Sequence, residues 1–478
     1  MIHLSDYNFS YILTYGFLYS TIECIVFLCF HIRNLSIDRF FTFWVFMIDK
    51  LKISIPFKRK YVTNTRMSKT GECIEYVNII ECSRRGIGLE AKSVHYKGGA
   101  LDNCYEVADL RHPYESLPTH YTGMAMKIFQ GTTWRSPCIE LKCSPAKIVQ
   151  GHNVFGSTSI ALGADEMLCA LQEVYPRVWE MLDYTNSTLD AIDVTYSARV
   201  SNELHSKQVI NCLKNVSNGQ MRKSVRNEFE TTCYFTQGSR HCDRKAYLKS
   251  PEFQRQLNSL RSLQEKGITE FDRVIDVMSD PRLINFARNL VRFEAGAHRR
   301  YLDTFDIPKN LFQAIQFQFD YEKNGNSLIQ DIWQKAFNPL LQALEGQRMN
   351  IFNDEEVHTK LKEIHMTLTP KGNVSFSKAD RVFRFYRSLV ADGYDSVKDT
   401  FSSRATFYRQ LNELLSAGFS KAQLQNLQGH GHDNVVPLLQ VIDVDFSNQR
   451  PEWYVEPEIG ELSKKYGFNT ANVFRLTA

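Results

Sequence analysis

The chain has 478 residues, of which 43% are hydrophobic, 12% aromatic and 23% charged, and its formal net charge is +4. This composition excludes a disordered protein, and the length favours two or three domains. The eleven cysteines form no C-x-x-C pair, which excludes the usual zinc and disulfide frameworks. Their odd number fits a reducing cytoplasm. The mild positive charge permits nucleic-acid binding without requiring it, because a local basic surface matters more than the total.

The first 46 residues differ in pattern from the rest of the chain. Residues 11–32 form an apolar run that is long enough to span a bilayer and is interrupted by Glu23. From Met47 to Phe57 apolar and polar residues alternate instead, which predicts a half-buried strand at the start of a soluble domain. Two interpretations of residues 1–46 stay open: a leader that is not part of the natural product, or a membrane segment.

The region from Met47 to about Thr304 mixes both kinds of periodicity. Strands are predicted at 124–129, 138–143, 188–199, 231–236, 244–249 and 289–296. Helices are predicted at 164–183, 203–216 and 271–288. Strands with helices between them predict an α+β domain whose sheet is covered mainly on one face. From about Asn310 onward, amphipathic helices are predicted at 314–319, 328–337, 354–365 and 380–390, so a mostly helical region comes next.

Residues 231–249 predict a hairpin that places Tyr247 among cations. The turn is Gly238-Ser239. The cations are Arg240, His241, Arg244, Lys245 and Lys249. A tyrosine hydroxyl has a pKa near ~10, so it attacks a phosphodiester only if positive charge or a metal stabilises the phenolate. The alternative is a tyrosine ring that packs on a sheet beside solvated basic neighbours.

Three acidic residues fall on predicted strands: Glu140, Asp193 and Glu294. If the sheet brings them beside Tyr247, their oxygens form a site for Mg²⁺ or Mn²⁺, which would polarise the scissile phosphate. His152, in the turn-rich sequence GHNVFG, is a candidate nitrogen ligand. The alternatives are surface ion pairs for the carboxylates and a loop-closing hydrogen bond for the histidine.

Two further patterns predict contact with DNA. Lys142 and Lys147 flank a loop shaped by Ser144-Pro145 and are candidates for phosphate binding. Residues 394–424 are typical of a helix-turn-helix, with Ser403 as the N-cap of its second helix. The candidate groove contacts are Arg404, Thr406 and Arg409. Plain helical packing is the alternative, because Phe407, Leu411 and Leu414 form an apolar stripe in either case.

With these residues in view, the chain resembles the replication initiators of filamentous bacteriophages, the gene II nickase family, from Met47 to about Pro457. The resemblance is carried by MIDKLKISIPF, CIELKCSPAKIVQGHNVFG, IDVTYSAR, SRHCDRKAYLK, LVRFEA and VDFSNQRPEWY. It implies an enzyme that nicks the plus strand of supercoiled replicative-form DNA at the origin and stays attached through a phosphotyrosine. The 3′-hydroxyl then primes rolling-circle synthesis, and the displaced strand is rejoined into a circle.

The resemblance also implies roles for single residues. The family's nucleophile lies in an A-Y-L-K motif, which here gives Tyr247. A more distant similarity to plasmid rolling-circle initiators, which have a Rep-type sheet, makes Asp193 and Glu294 metal ligands, with Glu140 and His152 as further candidates. Arg240, His241 and Lys249 are the expected stabilisers of phosphate or phenolate. Many rolling-circle enzymes carry His-apolar-His on a strand; here the only His-x-His is His430-Gly431-His432, flanked by glycine and predicted to lie in a loop.

The resemblance further implies domains and partners. A nicking and rejoining domain is expected at 47–305, a helical connector at 306–348 and a helical DNA-binding domain at 349–478, which an internal start at Met349 would yield alone. The expected partners are phage origin duplex DNA, the displaced single strand, the host replication machinery and further copies of the chain at the origin, in the host cytoplasm. Two other hypotheses stay open: an origin-binding protein without catalysis, and a membrane-tethered interaction protein.

Overall fold

A computed structural model describes residues 46–67, 71, 73–99, 102–200, 202–219, 221, 229–344, 353–427 and 450–458. The apolar run at 11–32, Met349 and the His430-Gly431-His432 sequence lie outside these residues. Within the described ranges, no helix is both long enough and apolar enough to cross a bilayer.

The regular elements alternate between strands and helices up to residue 298 and are mostly helical afterwards. Strands β1 to β14 are Met47–Pro56, Val62–Met67, Cys73–Val77, Glu90–Gly99, Asp102–Arg111, Glu115–Leu117, Met124–Phe129, Cys138–Cys143, Thr188–Arg199, Thr232–Tyr234, Cys242–Leu248, Leu290–His298, Thr367–Leu368 and Val374–Ser375. Helices α1 to α16 are Ile79–Arg84, Pro145–Gln150, Ile160–Val174, Pro176–Trp179, Glu203–Asn215, Lys249–Gln264, Asp272–Met278, Pro281–Ala287, Arg299–Leu302, Leu311–Glu322, Leu328–Leu344, Asp354–His365, Ser377–Asp392, Tyr394–Thr400, Arg404–Ser416 and Lys421–Gln425. Single 3₁₀ turns form at Arg59–Tyr61, Tyr184–Asn186 and Asp303–Phe305.

Eight strands form one sheet in the order β10-β11-β12-β9-β1-β8-β7-β6, and every neighbouring pair is antiparallel. The predicted α+β class is confirmed. Three predicted strands, β7, β8 and β9, have the bounds that alternation indicated. Two separate hairpins, β2–β3 and β4–β5, were not predicted.

Alternation along the central strands separates an apolar face from a polar face. On β9, Ile192, Val194 and Tyr196 join the main core, whereas Asp193 and Thr195 point to the opposite side. Helices α3 and α11 cover the apolar face, where the ring of Trp333 lies 4.9 Å from that of Tyr196. Burying each such side chain stabilises the fold by about 1.5–3 kcal/mol.

In the part of the chain that the structure describes, one end of the opposite side of the sheet is covered by a loop. There, residues 151–156, which we call the roof segment, lie over the start of β12 because Arg292 donates hydrogen bonds to the carbonyls of Asn153 and Val154. Val154 and Phe155 pack with α6, α7 and α8 in a second, smaller core. The aromatic residues Trp453 and Tyr454 pack on Phe155, with ring centroids 5.2 and 5.3 Å away. The C-terminal segment therefore supports the roof segment from outside.

Helices α12 to α16 build a core of their own. Phe407, Leu411 and Leu414 of α15 are buried in it, as the predicted apolar stripe requires. Helix α16 also contacts the residues that follow α5: Lys421 donates to Asn218 at 3.1 Å, and the amide of Gln425 bonds the backbone of Ser217. The boundaries predicted around residues 305 and 349 stay predictions.

Two predicted helices are each divided by a proline. The helix predicted at 164–183 begins earlier, at Ile160, and ends before Pro176, which starts α4. The helix predicted at 271–288 is two helices, because Asp280 caps the N-terminus of α8 and Pro281 takes its first position. Proline has no N–H to donate inside a helix, so it is favoured at the first turn.

Candidate active site and nucleic-acid interface

The polar face carries rows of charged side chains that the strand register places side by side. Tyr247 on β11 lies opposite Arg292 on β12, which lies opposite Ser197 on β9. The next row along the sheet is Lys245, Glu294 and Thr195, and the one after it is Asp243, Gly296 and Asp193. We define the polar face by its residues Lys50, Lys52, Lys142, Glu140, Asp193, Thr195, Ser197, Asp243, Lys245, Tyr247, Arg292 and Glu294.

Tyr247 is buried among charged groups and not among apolar ones. Its side chain is 8% exposed, and the ammonium of Lys245 lies 5.3 Å from the centre of its ring. Burial and the Glu294 carboxylate raise the pKa of the Tyr247 phenol well above its usual value, while Arg292 acts in the opposite direction. The phenol is therefore protonated in the free protein, and any reaction that uses it must lower this barrier.

Arg292 lies opposite Tyr247 on the neighbouring strand, and its positive charge opposes the rise in the pKa of the phenol. It is fully buried, and it donates to Ser197 Oγ at 3.1 Å. Its bonds to the roof segment hold the guanidinium in one orientation. A guanidinium offers five donors in a rigid plane and keeps its charge at any relevant pH, so it suits a phenolate or a phosphate.

Asp49 joins the site through an irregularity in β1. The register with β9 shifts between Ile48 and Lys50, which directs Asp49 toward the roof segment. Asn153 donates to Asp49 at 2.7 Å, and Arg292 lies 4.0 Å away. Although burial alone would raise it, the pKa of Asp49 is lowered by Arg292 and Lys249. Strict alternation along β1 cannot reveal this position.

Lys249 lies at the junction between β11 and α6 and is also fully buried. It donates to Asn153 at 2.8 Å and to Glu252 at 2.6 Å. Burial and the nearby Arg292 lower the pKa of Lys249 to about 8. The structure thus places this predicted residue in the same charged cluster as Tyr247.

Asp193 and Glu294 each leave one buried oxygen without a hydrogen-bond partner. Lys50 binds one oxygen of Asp193, and Lys245 binds one oxygen of Glu294 at 2.8 Å, whereas Asp193 Oδ1 and Glu294 Oε2 have none. Burial and the neighbouring Asp49 raise the pKa of Glu294 to about 7, and burial raises the pKa of Asp193 despite Lys50. Buried polar atoms normally have a partner, so these two oxygens are available to a further ligand.

This arrangement fits a small divalent cation. Mg²⁺ is commonly held by one or two carboxylates together with water and substrate phosphate. Gly296 leaves space at this point, because a Cβ there would lie 3.2 Å from Asp193 Oδ1. Among the described residues, no group of three or more His, Cys, Asp or Glu side chains has metal-binding geometry. The fit therefore rests on Asp193 and Glu294 alone.

The other two predicted ligands lie elsewhere. Glu140 bonds Lys52 at 2.9 Å, Arg135 at 3.4 Å and the hydroxyl of Tyr114 at 3.2 Å, toward the β8 end of the polar face. His152 accepts a hydrogen bond from the Val154 amide at 3.3 Å. Burial, Lys249 and Arg292 lower the pKa of His152 to about 3, so it is neutral. The predicted set of four ligands is thus divided between three places.

Arg240 and His241 are not brought to Tyr247. They precede β11, and Tyr247 lies near its other end, so a rise of about 3.3 Å per residue separates His241 from Tyr247 by roughly 20 Å. The structure therefore does not place Arg240 and His241 beside the phenol, and their expected contact with phosphate stays a prediction. The cations that lie beside Tyr247 are Arg292 and Lys245.

The predicted DNA contacts are distributed over three surfaces. Lys142 is exposed as a whole residue, and its pKa is lowered by partial desolvation and by the like charge of Lys50, which shows that these lysines lie near each other. Lys147 donates to Gln256 on α6 at 3.0 Å, away from Lys142. On α15, whose N-cap position is Ser403 as predicted, Arg404 and Arg409 are exposed and Thr406 is half-buried. Their roles in DNA binding stay predictions.

The fold and this face define an α+β protein with a tyrosine set among buried cations and carboxylates. The family model for the N-terminal part of the phage gene II replication-associated protein matches residues 47–324, and the model for the C-terminal part matches residues 368–459. The chain is 45% identical over 413 residues to the replication-associated protein of Salmonella phage IKe, which covers 86% of this chain and 96% of that protein. The proteins of the same name from Enterobacteria phages fd and M13 are 43% identical over 413 residues, covering 86% of this chain and 99% of each. The chain therefore belongs to the gene II replication-associated protein family of bacteriophages.

Proposed function

We propose that this protein initiates phage rolling-circle replication by nicking the plus strand of supercoiled replicative-form DNA at the origin through Tyr247, and that it later rejoins the displaced strand into a circle. The observation that carries the proposal is the row Tyr247–Arg292 beside the Asp193–Glu294 pair. A nucleophile, a fixed cation and two carboxylates with free oxygens are what transesterification of a phosphodiester requires.

In the nicking step, the Tyr247 hydroxyl attacks phosphorus in line. The bond that forms joins the phenolic oxygen to phosphorus, and the bond that breaks is the one to the 3′ oxygen, which takes a proton and becomes the primer. The phenol releases its proton to solvent as the phosphotyrosine forms. Rejoining is the reverse: the 3′-hydroxyl of the completed strand attacks the phosphotyrosine, so no ATP is needed.

Arg292 and Lys245 stabilise the negative charge on the phenolic and phosphate oxygens in this proposal. A Mg²⁺ or Mn²⁺ ion held by Asp193 and Glu294 would offset the charge of Glu294, which raises the pKa of Tyr247, and would polarise the phosphate. Because Tyr247 is 8% exposed, access of DNA requires the residues that cover it to move, and the roof segment, which binds the neighbouring Arg292, is the part that we propose to move. Trp453 and Tyr454, which pack on Phe155, would move with it.

Binding to the origin would use surfaces on both parts of the chain. The lysines on β1 and β8 would hold the phosphate backbone, and the exposed N-terminal half of α15 would read a groove. Replacing Arg404 and Arg409 together with alanine should weaken origin binding at least tenfold in a mobility-shift assay. Unchanged affinity would assign α15 to packing alone. The displaced single strand, host replication proteins in the cytoplasm and further copies at the origin complete the proposed set of partners.

The test of the function is incubation with supercoiled DNA that carries the phage origin, in the presence of Mg²⁺. We expect open circles whose nicked strand is covalently bound to protein. An origin-binding protein without catalysis, the second hypothesis, would shift the migration of the DNA but leave every circle closed. Chelation of the metal should stop nicking while leaving origin binding measurable.

A further inference from the structure

A cavity of about 480 Å³ lies between α6, α7 and the start of the roof segment. Its apolar wall includes Phe271, Val274 and Met278. Its polar rim includes Lys147, Gln256 and Ser259. The volume is within the range of cavities that bind small organic molecules, and an apolar wall with a few polar groups at the rim is their usual lining.

The rim offers both charge and hydrogen bonds. Lys147 donates to the oxygen of the Gln256 amide at 3.0 Å, and among the described residues the amide nitrogen of Gln256 has no acceptor, so its two donors can bind a ligand. Arg255, which also lines the cavity, is exposed. Lys147 and Arg255 together favour an anionic group beside an apolar one. That combination describes a nucleotide: a flat base with its phosphate.

The cavity is connected to the candidate active site through one side chain. Glu252 lines the cavity and binds Lys249, which comes two residues after Tyr247. Gly151, at the start of the roof segment, lines it as well. Glu252 is also close enough to Tyr247 for its charge to raise the pKa of the phenol, so a strand whose phosphate lies at Tyr247 would pass near this wall of the cavity.

We propose that this cavity binds one unpaired base of the strand that Tyr247 attacks, with the base against Phe271 and its phosphate near Lys147 and Arg255. The inference rests on the proposed function, since it assumes that DNA occupies the polar face. Removing a base from the duplex costs stacking and pairing energy, which a dedicated pocket can return. Stacking on an aromatic ring depends little on sequence, whereas the Gln256 amide can select among bases.

The test combines a substitution that fills the cavity with oligonucleotides that each lack one base. In protein carrying Tyr247→Phe, so that no cleavage occurs, the affinity of fluorescein-labelled single-stranded DNA spanning the plus-strand origin is measured by anisotropy. The same oligonucleotide is prepared with one abasic site at each position around the nick. Ser259→Trp fills the cavity from an exposed position, and Asn258→Trp, exposed on the same helix but outside the cavity, is its control.

We expect one abasic position to weaken binding about tenfold in Tyr247→Phe and in the Asn258→Trp control, the size of one lost stacked base. An abasic site at the same position should change the affinity less than twofold in protein whose cavity is filled by Ser259→Trp. Phe271→Leu should reproduce this loss if the tryptophan variant does not fold. Equal costs in the filled and control proteins at every position overturn the proposal. Nicking by the wild-type protein, measured separately on supercoiled origin DNA, reports on the proposed function, so the two can fail independently.

Discussion

The two ends of the polar face contain the same three kinds of side chain. At one end Tyr247 lies beside the Lys245–Glu294 pair, whose atoms are 2.8 Å apart; at the other Tyr114 bonds Glu140, which pairs with Lys52 at 2.9 Å. Both glutamates are buried. A tyrosine, a lysine and a buried glutamate therefore do not by themselves mark a reactive site.

The neighbouring charges differ between the two ends. Glu140 has two cations and a hydroxyl around it, so its charge is fully balanced. Glu294 has one lysine and faces Asp49 and Asp193, and one of its oxygens has no partner. A buried carboxylate oxygen without a partner can still bind a cation, whereas a carboxylate that already pairs with two cations makes a stable structural pair. The difference favours the Tyr247 end as the place of the chemistry.

The largest expected effect comes from exchanging each tyrosine for phenylalanine. Tyr247→Phe should abolish the covalent protein–DNA product, because the attacking oxygen is gone, and should leave origin binding within about twofold. Tyr114→Phe, the matched change at the other end, should leave the covalent product unchanged. Labelled DNA that stays with the protein in denaturing gels measures both. A covalent product from Tyr247→Phe would mean that the nucleophile is another residue.

The second comparison replaces each glutamate with glutamine. Glu294→Gln should slow nicking by about 10²–10³-fold, since it removes charge that the reacting centre uses. Glu140→Gln should instead lower the free energy of unfolding by about 1–3 kcal/mol, because it weakens a buried ion pair, and should change the nicking rate only a few fold. Single-turnover rates and denaturant unfolding separate the two. Equal losses of nicking rate in Glu294→Gln and Glu140→Gln would contradict the assignment of the chemistry to the Tyr247 end.

A smaller effect concerns the pH dependence of stability at the Tyr247 end of the polar face, which the roof segment covers. The pKa of Lys249 is lowered from 10.5 to about 8 by burial and Arg292. Between these values the unfolded chain holds a proton that the folded chain lacks, so raising the pH favours folding. From about pH 7.5 to about pH 9.5 the wild type should gain about 1–2 kcal/mol in unfolding free energy relative to Lys249→Met. Parallel pH profiles would show that Lys249 is not buried in this way.

The smallest effect concerns the Glu140 end of the polar face, where Lys142 lies. Lys142 is exposed beside Lys50, so a DNA phosphate bound there releases counterions from the backbone. Lys142→Ala should lower the slope of log K against log salt for origin binding by about 1 and leave the nicking rate of bound DNA unchanged. Lys266→Ala, an exposed lysine on the turn after α6, should leave the slope as it is. If both variants give the wild-type slope, Lys142 does not contact a DNA phosphate.

Alternation predicted the sheet well and the site only in part. The bounds of β7, β8 and β9 follow from period two, because apolar residues that face the main core recur at every second position along each strand. Asp49 was missed because an irregularity in β1 breaks that period, and the partnership of Arg292 with Tyr247 depends on register between strands far apart in sequence. Arg240 and His241 were placed at Tyr247 because they are close in sequence, although an extended strand separates them.

The most direct measurement is mass spectrometry of the peptide that retains a nucleotide after the reacted protein–DNA complex is digested with nuclease and protease. The phosphotyrosine account predicts the nucleotide on the peptide that contains Ala246-Tyr247-Leu248, linked through the tyrosine oxygen. A nucleotide on a peptide containing Tyr114, or on any peptide without Tyr247, would contradict it.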